Sequence, residues 1–281
     1  MKITTDWHIH TKCSCDSACM EFETLVSDAK ELGITDFGVS DHYHTILQEP
    51  DIAASRKEFD STLERHPELR GHFHFGIETT LVSAWEADKI RRGEYTEPPI
   101  YGFRQGGPKN APVIFDMDEE FLTKYGVEYF IAGMHWPMYC DTDVDSVLYE
   151  YHRQYMYAIT HPFTDIVAHY QWYDTGVFPG VDNPFVPFDR VPQSMRDEIK
   201  SALLDTGVAF EVNAGFLDVP VLPDSYRDDY LGWVHDLQNS GVILSFGCDC
   251  HRPNLHACDV HEKYARLFDH YKIDTAKFWT L

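Results

Sequence analysis

The stretch Gly241-Val242-Ile243-Leu244-Ser245-Phe246-Gly247-Cys248-Asp249-Cys250-His251, with the helical pattern over 225–240 that leads into it, carries the fold in miniature. Glycine stands where a left-handed helix stop is wanted, because a residue without a Cβ adopts positive φ at little cost. The apolar run over 242–246 reads as a buried strand. An aspartate and a histidine follow at its C-terminal tip. The same unit recurs along the chain. Helical patterns over 21–32 and 194–206 also end at glycines, Gly33 and Gly207, each just before the next strand. Strand-like segments over 3–9, 36–40, 72–79, 129–134, 165–168, 208–212 and 242–246 follow at intervals of about 35 residues, with one longer gap, which is the length of a strand-plus-helix unit. Such repetition predicts a parallel sheet with helices covering it.

An open doubly wound sheet and a closed barrel both fit that spacing, and the polar residues decide between them. Nearly every strand ends in a histidine, carboxylate or asparagine: Asp6/His8/His10, Asp41/His42, Glu78, His135, His169, Glu211/Asn213 and Asp249/His251. Polar groups converging from the C-terminal ends of all strands are what a barrel delivers, whereas an open sheet focuses only the strands beside its switch point. Seven units predict a distorted (β/α)7 TIM-like barrel with its site on that face. The chain, residues 1–281, reads as a single domain with loop insertions near 84–112 and 175–193.

The 281 residues carry 23 Lys+Arg against 46 Asp+Glu, a formal net charge of -23. So acidic a surface repels phosphate backbones and anionic lipid, which argues against a nucleic-acid polymer or a membrane surface as partner. No apolar run reaches the roughly 18 residues a spanning helix needs, and the N-terminus lacks the apolar stretch of a signal peptide. Seven cysteines are an odd number without a disulfide framework, so a cytoplasmic enzyme is expected. Oligomeric state is not legible.

Among 16 histidines chance supplies about one His-x-His pair, and the sequence has three: His8/His10, His42/His44 and His72/His74. One pair alone is weak evidence of a metal site. The informative feature is the ordered set of histidines and carboxylates at successive strand ends, since imidazole and carboxylate are the donors for zinc, manganese or iron.

Taken together, Asp6-Trp7-His8-Ile9-His10-Thr11, Ser40-Asp41-His42, Gly76-Ile77-Glu78, Gly133-Met134-His135, His169 and Asp249-Cys250-His251 resemble the motifs of the PHP family, named for polymerase and histidinol phosphatase. They span residues 6 to 251 in family order. The resemblance implies a distorted (β/α)7 barrel and a phosphoesterase with two or three divalent metal ions, manganese, iron or zinc. By position, His8, His10, Glu78 and Asp249 resemble the ligands of a first metal. Glu78 with His135 and His169 resembles a second set, and Asp16, His42 and His251 a third. Asp16 departs from members that carry a histidine there, and an oxygen donor moves that site toward harder ions such as manganese or iron. His169-Tyr170-Gln171-Trp172 departs from the His-Pro many members show, keeping the ligand and changing the pocket wall.

The remaining residues are read in turn. His72 and His74 open the third strand, away from Glu78, and read as structural. His66, His152, His235, His256, His261 and His270 fall in helical patterns and read as solvated. His161 reads as buried or capping. Cys13, Cys15 and Cys19 lack the partner pair of a zinc knuckle and read as free thiols in a loop. Cys248 and Cys250 flank Asp249 and should point away from the site into the core. Trp136, Tyr139, Tyr170, Trp172 and Tyr173 follow two ligands, where they would either stack on a planar substrate or pack on one another as a lid, the latter being the simpler reading.

The expected function is hydrolysis of a small phosphate monoester, such as histidinol phosphate, a nucleotide or a sugar phosphate, by attack of a metal-bridging hydroxide. Asp249, His251 and His44 are the candidate proton carriers and Arg252 a candidate phosphate clamp. A phosphodiesterase or cyclic-phosphate hydrolase is the alternative, with a C–N hydrolase and a non-catalytic metal-binding module behind it. The complete set of nine ligand positions argues against the last.

Overall fold

The computed structural model of the chain describes residues 2–16, 18–94, 107–173, 183–218, 222–252 and 260–281. Seven parallel strands follow one another in chain order: β1 (Thr5–Asp6), β2 (Asp36–Val39), β4 (Phe73–Thr80), β7 (Tyr129–Gly133), β8 (Ile166–Ala168), β9 (Ala209–Asn213) and β10 (Leu244–Gly247). A short β3 (His42–Tyr43) resumes the line of β2 after a break at Ser40-Asp41 and pairs with β4 through His42↔Glu78 and Tyr43↔Thr79. The ring closes beyond the ends of the first and last strands. Trp7 N–H donates to Phe246 C=O (3.2 Å), Asp249 N–H to His8 C=O (2.8 Å) and His10 N–H to Cys250 C=O (3.0 Å). This is the seven-unit barrel the spacing predicts.

Helices fill the intervals: α1 (Phe22–Leu32), α2 (Glu49–Arg65), α3 (Ala84–Arg91), α4 (Glu119–Tyr125), α5 (Val144–Thr160), α6 (Gln193–Thr206), α7 (Ala214–Leu217), α8 (Asp224–Asn239) and α9 (Val260–Tyr271). Gly33 at φ 67° and Gly207 at φ 76° terminate α1 and α6 in the left-handed conformation their sequence position implies. The expected insertion over 84–112 begins as α3 rather than as a loop, and its base is pinned by an antiparallel pair of β5 (Val82–Ser83) and β6 (Val113–Ile114). Of the insertion expected over 175–193, residues 175–182 lie outside the described residues, as do 95–106 of the first and His256. No helix among the described residues is long and apolar enough to cross a membrane.

Between sheet and helices lies a large apolar core. The barrel interior holds a second, smaller cluster at the N-terminal ends of the strands: Trp7, Tyr129, Ile131, Ile166, Ala168 and Ala209, with Trp279 against it. Gly38 and Gly76 make room there, since a Cβ on either would overlap the Tyr129 ring. The lumen below the site is therefore filled, and the polar residues sit above an apolar floor.

Candidate metal centre

The first strand delivers its histidines through an irregularity. Asp6 Oδ1 accepts from both His8 N–H (3.3 Å) and Cys248 N–H (3.1 Å), and Oδ2 lies 2.8 Å from His261 Nε2. The aspartate thus substitutes for ladder partners where β1 ends, and successive side chains both enter the lumen. Trp7 joins the apolar cluster below, while His8 rises to the polar end. Asp6, expected among the converging residues, is corrected to a backbone brace. His261, expected to be solvated, is buried as its partner.

From β4, alternation sends Gly76, Glu78 and Thr80 inward, and Glu78 is fully buried. Its Oε2 lies 3.1 Å from His8 Nε2, 3.3 Å from His10 Nε2 and 3.0 Å from His42 Nδ1. Its Oε1 lies 2.7 Å from His169 Nε2 and 3.3 Å from His135 Nε2. Asp249 Oδ1 stands 3.2 Å from His10 Nε2 and 3.6 Å from His8 Nε2. Asp16 Oδ2 stands 3.3 Å from His42 Nε2 and 2.5 Å from His251 Nε2. All nine expected ligand positions are brought together. Gly133 and Gly247 are the floor beneath them: a Cβ on Gly133 would overlap Glu78 Oε1, and one on Gly247 would overlap Glu211 Oε1. His169 (φ 31°) and Asp249 (φ 54°) hold left-handed backbone that side-chain-bearing residues rarely adopt, a conformation that costs of order 1–3 kcal/mol and clusters at functional sites.

The donor set fits divalent ions. Glu78 Oε2 has three imidazole nitrogens within 3.3 Å yet makes an aligned hydrogen bond with none, and His42 Nδ1, His10 Nδ1 and Asp16 Oδ1 are likewise buried without one. Two donors each about 2.0–2.2 Å from one ion, seen from it at about 90–110°, stand about 3.0–3.5 Å apart. The spacings around Glu78 Oε2 have the length of such polyhedron edges, while Glu78 Oε1 and His169 Nε2, 2.7 Å apart, are also hydrogen-bonded. Four overlapping trios could each hold an ion: His8/His10/Glu78, His8/His169/Asp249, His42/Glu78/His135 and His10/His42/His251. The first holds three of the four residues expected for a first site, with Asp249 grouped instead with His8 and His169, and the third joins Glu78 and His135 to His42 rather than to His169. The last pairs His42 and His251 with His10, with Asp16 bridging the same two rings.

Burial and mutual charge shift the titration of these groups. Burial disfavours the charged form of His42, but the charge of Glu78, then Asp16, outweighs it and pushes its pKa up to about 10. For His8, burial is likewise overcome by Glu211, Glu78 and Asp249. Burial alone would raise Glu78 and Asp249, yet the neighbouring histidines, His8 first, hold both well below the usual carboxylate range. His135 falls to about 4 and His44 well below its usual value, each chiefly through burial.

Two residues outside the expected ligand set contact it. Glu211 Oε1 lies 2.6 Å from His8 Nδ1, and its Oε2 accepts from His169 N–H (2.8 Å) and Asn213 Nδ2 (3.0 Å). A carboxylate behind a ligating imidazole fixes its tautomer and raises its basicity. Glu211 was visible as a strand-tip carboxylate, but spacing does not distinguish a ligand from the residue behind one. Thr80 Oγ1 lies between His135 Nδ1 (2.6 Å) and His44 Nδ1 (2.9 Å).

The other candidates are placed as follows. Arg252 is exposed at the edge of a cavity of about 300 Å³ lined by Ala214, Gly215, Cys248, Asp249, Cys250 and His251. Cys248 belongs to the core as expected, with its thiol 3.7 Å from the His8 carbonyl, while Cys250 is half-buried with its thiol 3.0 Å from the Arg252 carbonyl, and both residues line that cavity beside Asp249. Trp136, Tyr139, Tyr170 and Tyr173 are buried. The half-buried Trp172 has its ring 5.7 Å from His135 and 6.2 Å from His169. Tyr170 instead packs on Tyr155 and Trp233. His72 and His74 pair with Asp36 and Glu128 at the far end of the barrel, as structural residues. His66 and His152 are partly buried against Glu23 and Glu198 rather than solvated, and His235 is partly buried beside Asn239. Cys13, Cys15 and Cys19 are free thiols.

The PHP domain family model matches residues 6–215. No curated protein matches the sequence significantly. Among solved structures, the chain is similar to a histidinol phosphate phosphatase from Lactococcus lactis, crystallised with zinc, L-histidinol and phosphate. The TM-score is 0.65 at 15% identity, over 96% of this chain and 94% of that one. It also aligns with an ochratoxinase from A. niger at 10% identity over 92% of this chain and 65% of that one, but with a TM-score of 0.33, too low to bear on the fold.

Proposed function

The chain belongs to the PHP domain family, and from that premise we propose that it is a metal-dependent phosphoesterase acting on a small phosphate monoester, residues 1–281 working as one unit. The observation that carries the proposal is Glu78, a fully buried carboxylate within 3.3 Å of five imidazole nitrogens drawn from four other parts of the barrel. In this reading His8, His10, Glu78 and Asp249 hold a first divalent ion, Glu78, His135 and His169 a second, and Asp16, His42 and His251 a third. When bound, such ions act as Lewis acids on phosphoryl oxygens and bring the pKa of a ligated water near neutrality.

The chain's own residues supply the rest. Glu211 orients His8 through the 2.6 Å contact and keeps its Nε2 directed at Glu78 and Asp249. Asp249 reaches both the His8/His10 pair and the cavity, which suits a proton carrier for the leaving oxygen, with His251 and His44 as the other candidates. Arg252 is the candidate phosphate clamp, a role its position at the cavity rim supports. The cavity of about 300 Å³ is at the small end of ligand sites, which supports a compact leaving group such as histidinol, a nucleoside or a sugar over a polymer. The charge of -23 points the same way. Manganese, iron and zinc all suit the donors; the neighbour's zinc makes zinc the first ion to try.

The test is release of inorganic phosphate by protein reconstituted with each metal, across histidinol phosphate, nucleotides, sugar phosphates, phosphodiesters and cyclic nucleotides. Metal-dependent turnover of a monoester, lost in His8→Ala and Asp249→Ala, is expected. Turnover confined to diesters would move the assignment to a phosphodiesterase. Amide cleavage without phosphate release would make the chain a C–N hydrolase.

A further inference from the structure

Asn213 closes β9, fully buried and in register with Gly247 of β10. Asp249 stands two residues past that glycine, on left-handed backbone at φ 54°. Three hydrogen bonds fix the Asn213 carboxamide. Its Oδ1 accepts from Phe216 N–H (2.8 Å) as the cap of α7, which leaves Nδ2 with its two protons directed the other way. One goes to Glu211 Oε2 (3.0 Å) and the other to Asp249 Oδ2 (3.3 Å). Glu211 is the carboxylate behind His8 Nδ1 and the His169 N–H. Asp249 Oδ1, the oxygen Asn213 does not touch, faces His10 Nε2 at 3.2 Å, His251 Nδ1 at 3.5 Å and His8 Nε2 at 3.6 Å. Gly215 lets α7 come this close, since a Cβ there would stand 3.1 Å from Asp249 Cβ and 3.3 Å from Asn213 Oδ1.

We infer that Asn213 is a positioning residue that ties Asp249 to Glu211 and so presents Asp249 Oδ1, not Oδ2, to the metal centre. The inference rests on the proposal that Asp249 ligates a divalent ion. A carboxylate on so short a side chain can turn about two bonds and offer either oxygen or both. Here one oxygen is occupied by an amide N–H, and the other is left for the ion. The donor is neutral, so it orients both carboxylates and leaves their full charge for a cation. Hydrogen bonds to a ligating carboxylate set its direction before the ion arrives. Through Glu211 the same amide is connected to His8, so one side chain links the donors of β1 to those beyond β10. Capping α7 is a separate task, which serine performs as well as asparagine and alanine does not. Serine at position 213 therefore keeps the cap and deletes the bridge, and alanine deletes both. Aspartate keeps the shape and the cap but replaces the amide donors with a carboxylate.

The experiment uses cobalt(II) as the probe metal on the full chain and on Asn213→Ser, Asn213→Ala and Asn213→Asp, with Asp249→Asn identifying the ion concerned. Chelator competition should find that ion held about 10- to 100-fold more weakly in all three Asn213 variants, the usual cost of losing a residue that orients a ligand. The visible absorption of bound cobalt, which follows the geometry of its donors, should shift in all three. The unfolding midpoint of the metal-free protein should fall in Asn213→Ala and stay nearer the native value in Asn213→Ser, because only alanine loses the cap. Native cobalt affinity and spectrum in Asn213→Ser overturn the inference and leave Asn213 a helix cap. Native or higher affinity in Asn213→Asp overturns it as well, since the amide donors would then be dispensable. Failure of the metal proposal shows separately, as Asp249→Asn that binds cobalt as tightly as the native chain, and takes the inference with it.

Discussion

The two ends of the barrel lumen are built by the same strands and solve opposite problems. At the N-terminal end Trp7 meets Tyr129 and Trp279 edge-to-face, at 74° and 79°, and the polar tips of the rings are paired. Trp7 Nε1–H donates to Trp279 C=O (3.2 Å), and the Tyr129 hydroxyl lies 2.8 Å from the carbonyls of Trp7 and Val39. Nothing is missing there. At the C-terminal end Glu78, Asp249, Asp16 and six histidines crowd together, and several of their buried polar atoms, Glu78 Oε2, His42 Nδ1 and Asp16 Oδ1 among them, have no hydrogen-bond partner. One end is complete as protein, and the other gathers donors that could hold cations. Stability and chemistry should therefore separate along the barrel axis, and mutations at each end should read out on different scales.

The largest effect is expected at the polar end. Asp249→Asn or Glu78→Gln should lower metal-dependent turnover by about a thousandfold or more, equivalent to roughly 4 kcal/mol, while the metal-free variants keep a native far-ultraviolet circular dichroism spectrum. Turnover within tenfold of native would break the assignment of these carboxylates. Next comes Trp7→Ala, a large-to-small change in a packed interior that costs about 3–5 kcal/mol of folding stability. Urea unfolding of the metal-free protein should show that loss, with metal content per folded chain unchanged. Parallel loss of metal and stability would mean the two ends are not separable.

Smaller is the effect of Glu211→Gln, which leaves a partner for His8 but removes its charge. A chelator competition should find metal affinity reduced about 10- to 100-fold. Affinity equal to native would leave Glu211 a purely structural residue. The smallest is at the apolar end, where burial would raise Glu128 but its hydrogen bonds with His74 and the Phe75 N–H lower its pKa. A carboxyl lowered on folding contributes stability above its unfolded pKa and loses it as pH falls. Glu128→Gln should therefore cost less than about 1 kcal/mol near neutrality and flatten the acid decline of stability below about pH 4.5. A variant whose acid decline superimposes on the native curve would contradict that pairing.

What the sequence disclosed follows the same axis. Glycine stops and apolar runs located the strands because φ preference and burial are local properties of the chain. The nine expected ligand positions could be picked out because histidines and carboxylates at strand tips leave a type and an order, and the fold brings those side chains together. Trp7 and Asp6 were not. Alternation assigns Asp6 and His8 to one face, and the break after β1, bridged by Asp6 Oδ1, is a tertiary event involving Cys248 from the other end of the chain. His261 looked like any helical histidine because its partner, Asp6, is distant in sequence. Glu211 and Thr80 stand beside the ligand set, and only distances distinguish such a place from ligation.

The central claim is that divalent ions complete the polar end of this lumen. Anomalous diffraction from crystals of zinc-loaded protein, collected on both sides of the zinc edge, tests it most directly. The account predicts two or three anomalous peaks within the ring of His8, His10, Asp16, His42, Glu78, His135, His169, Asp249 and His251. Loaded crystals with no peak in contact with Glu78 would contradict it.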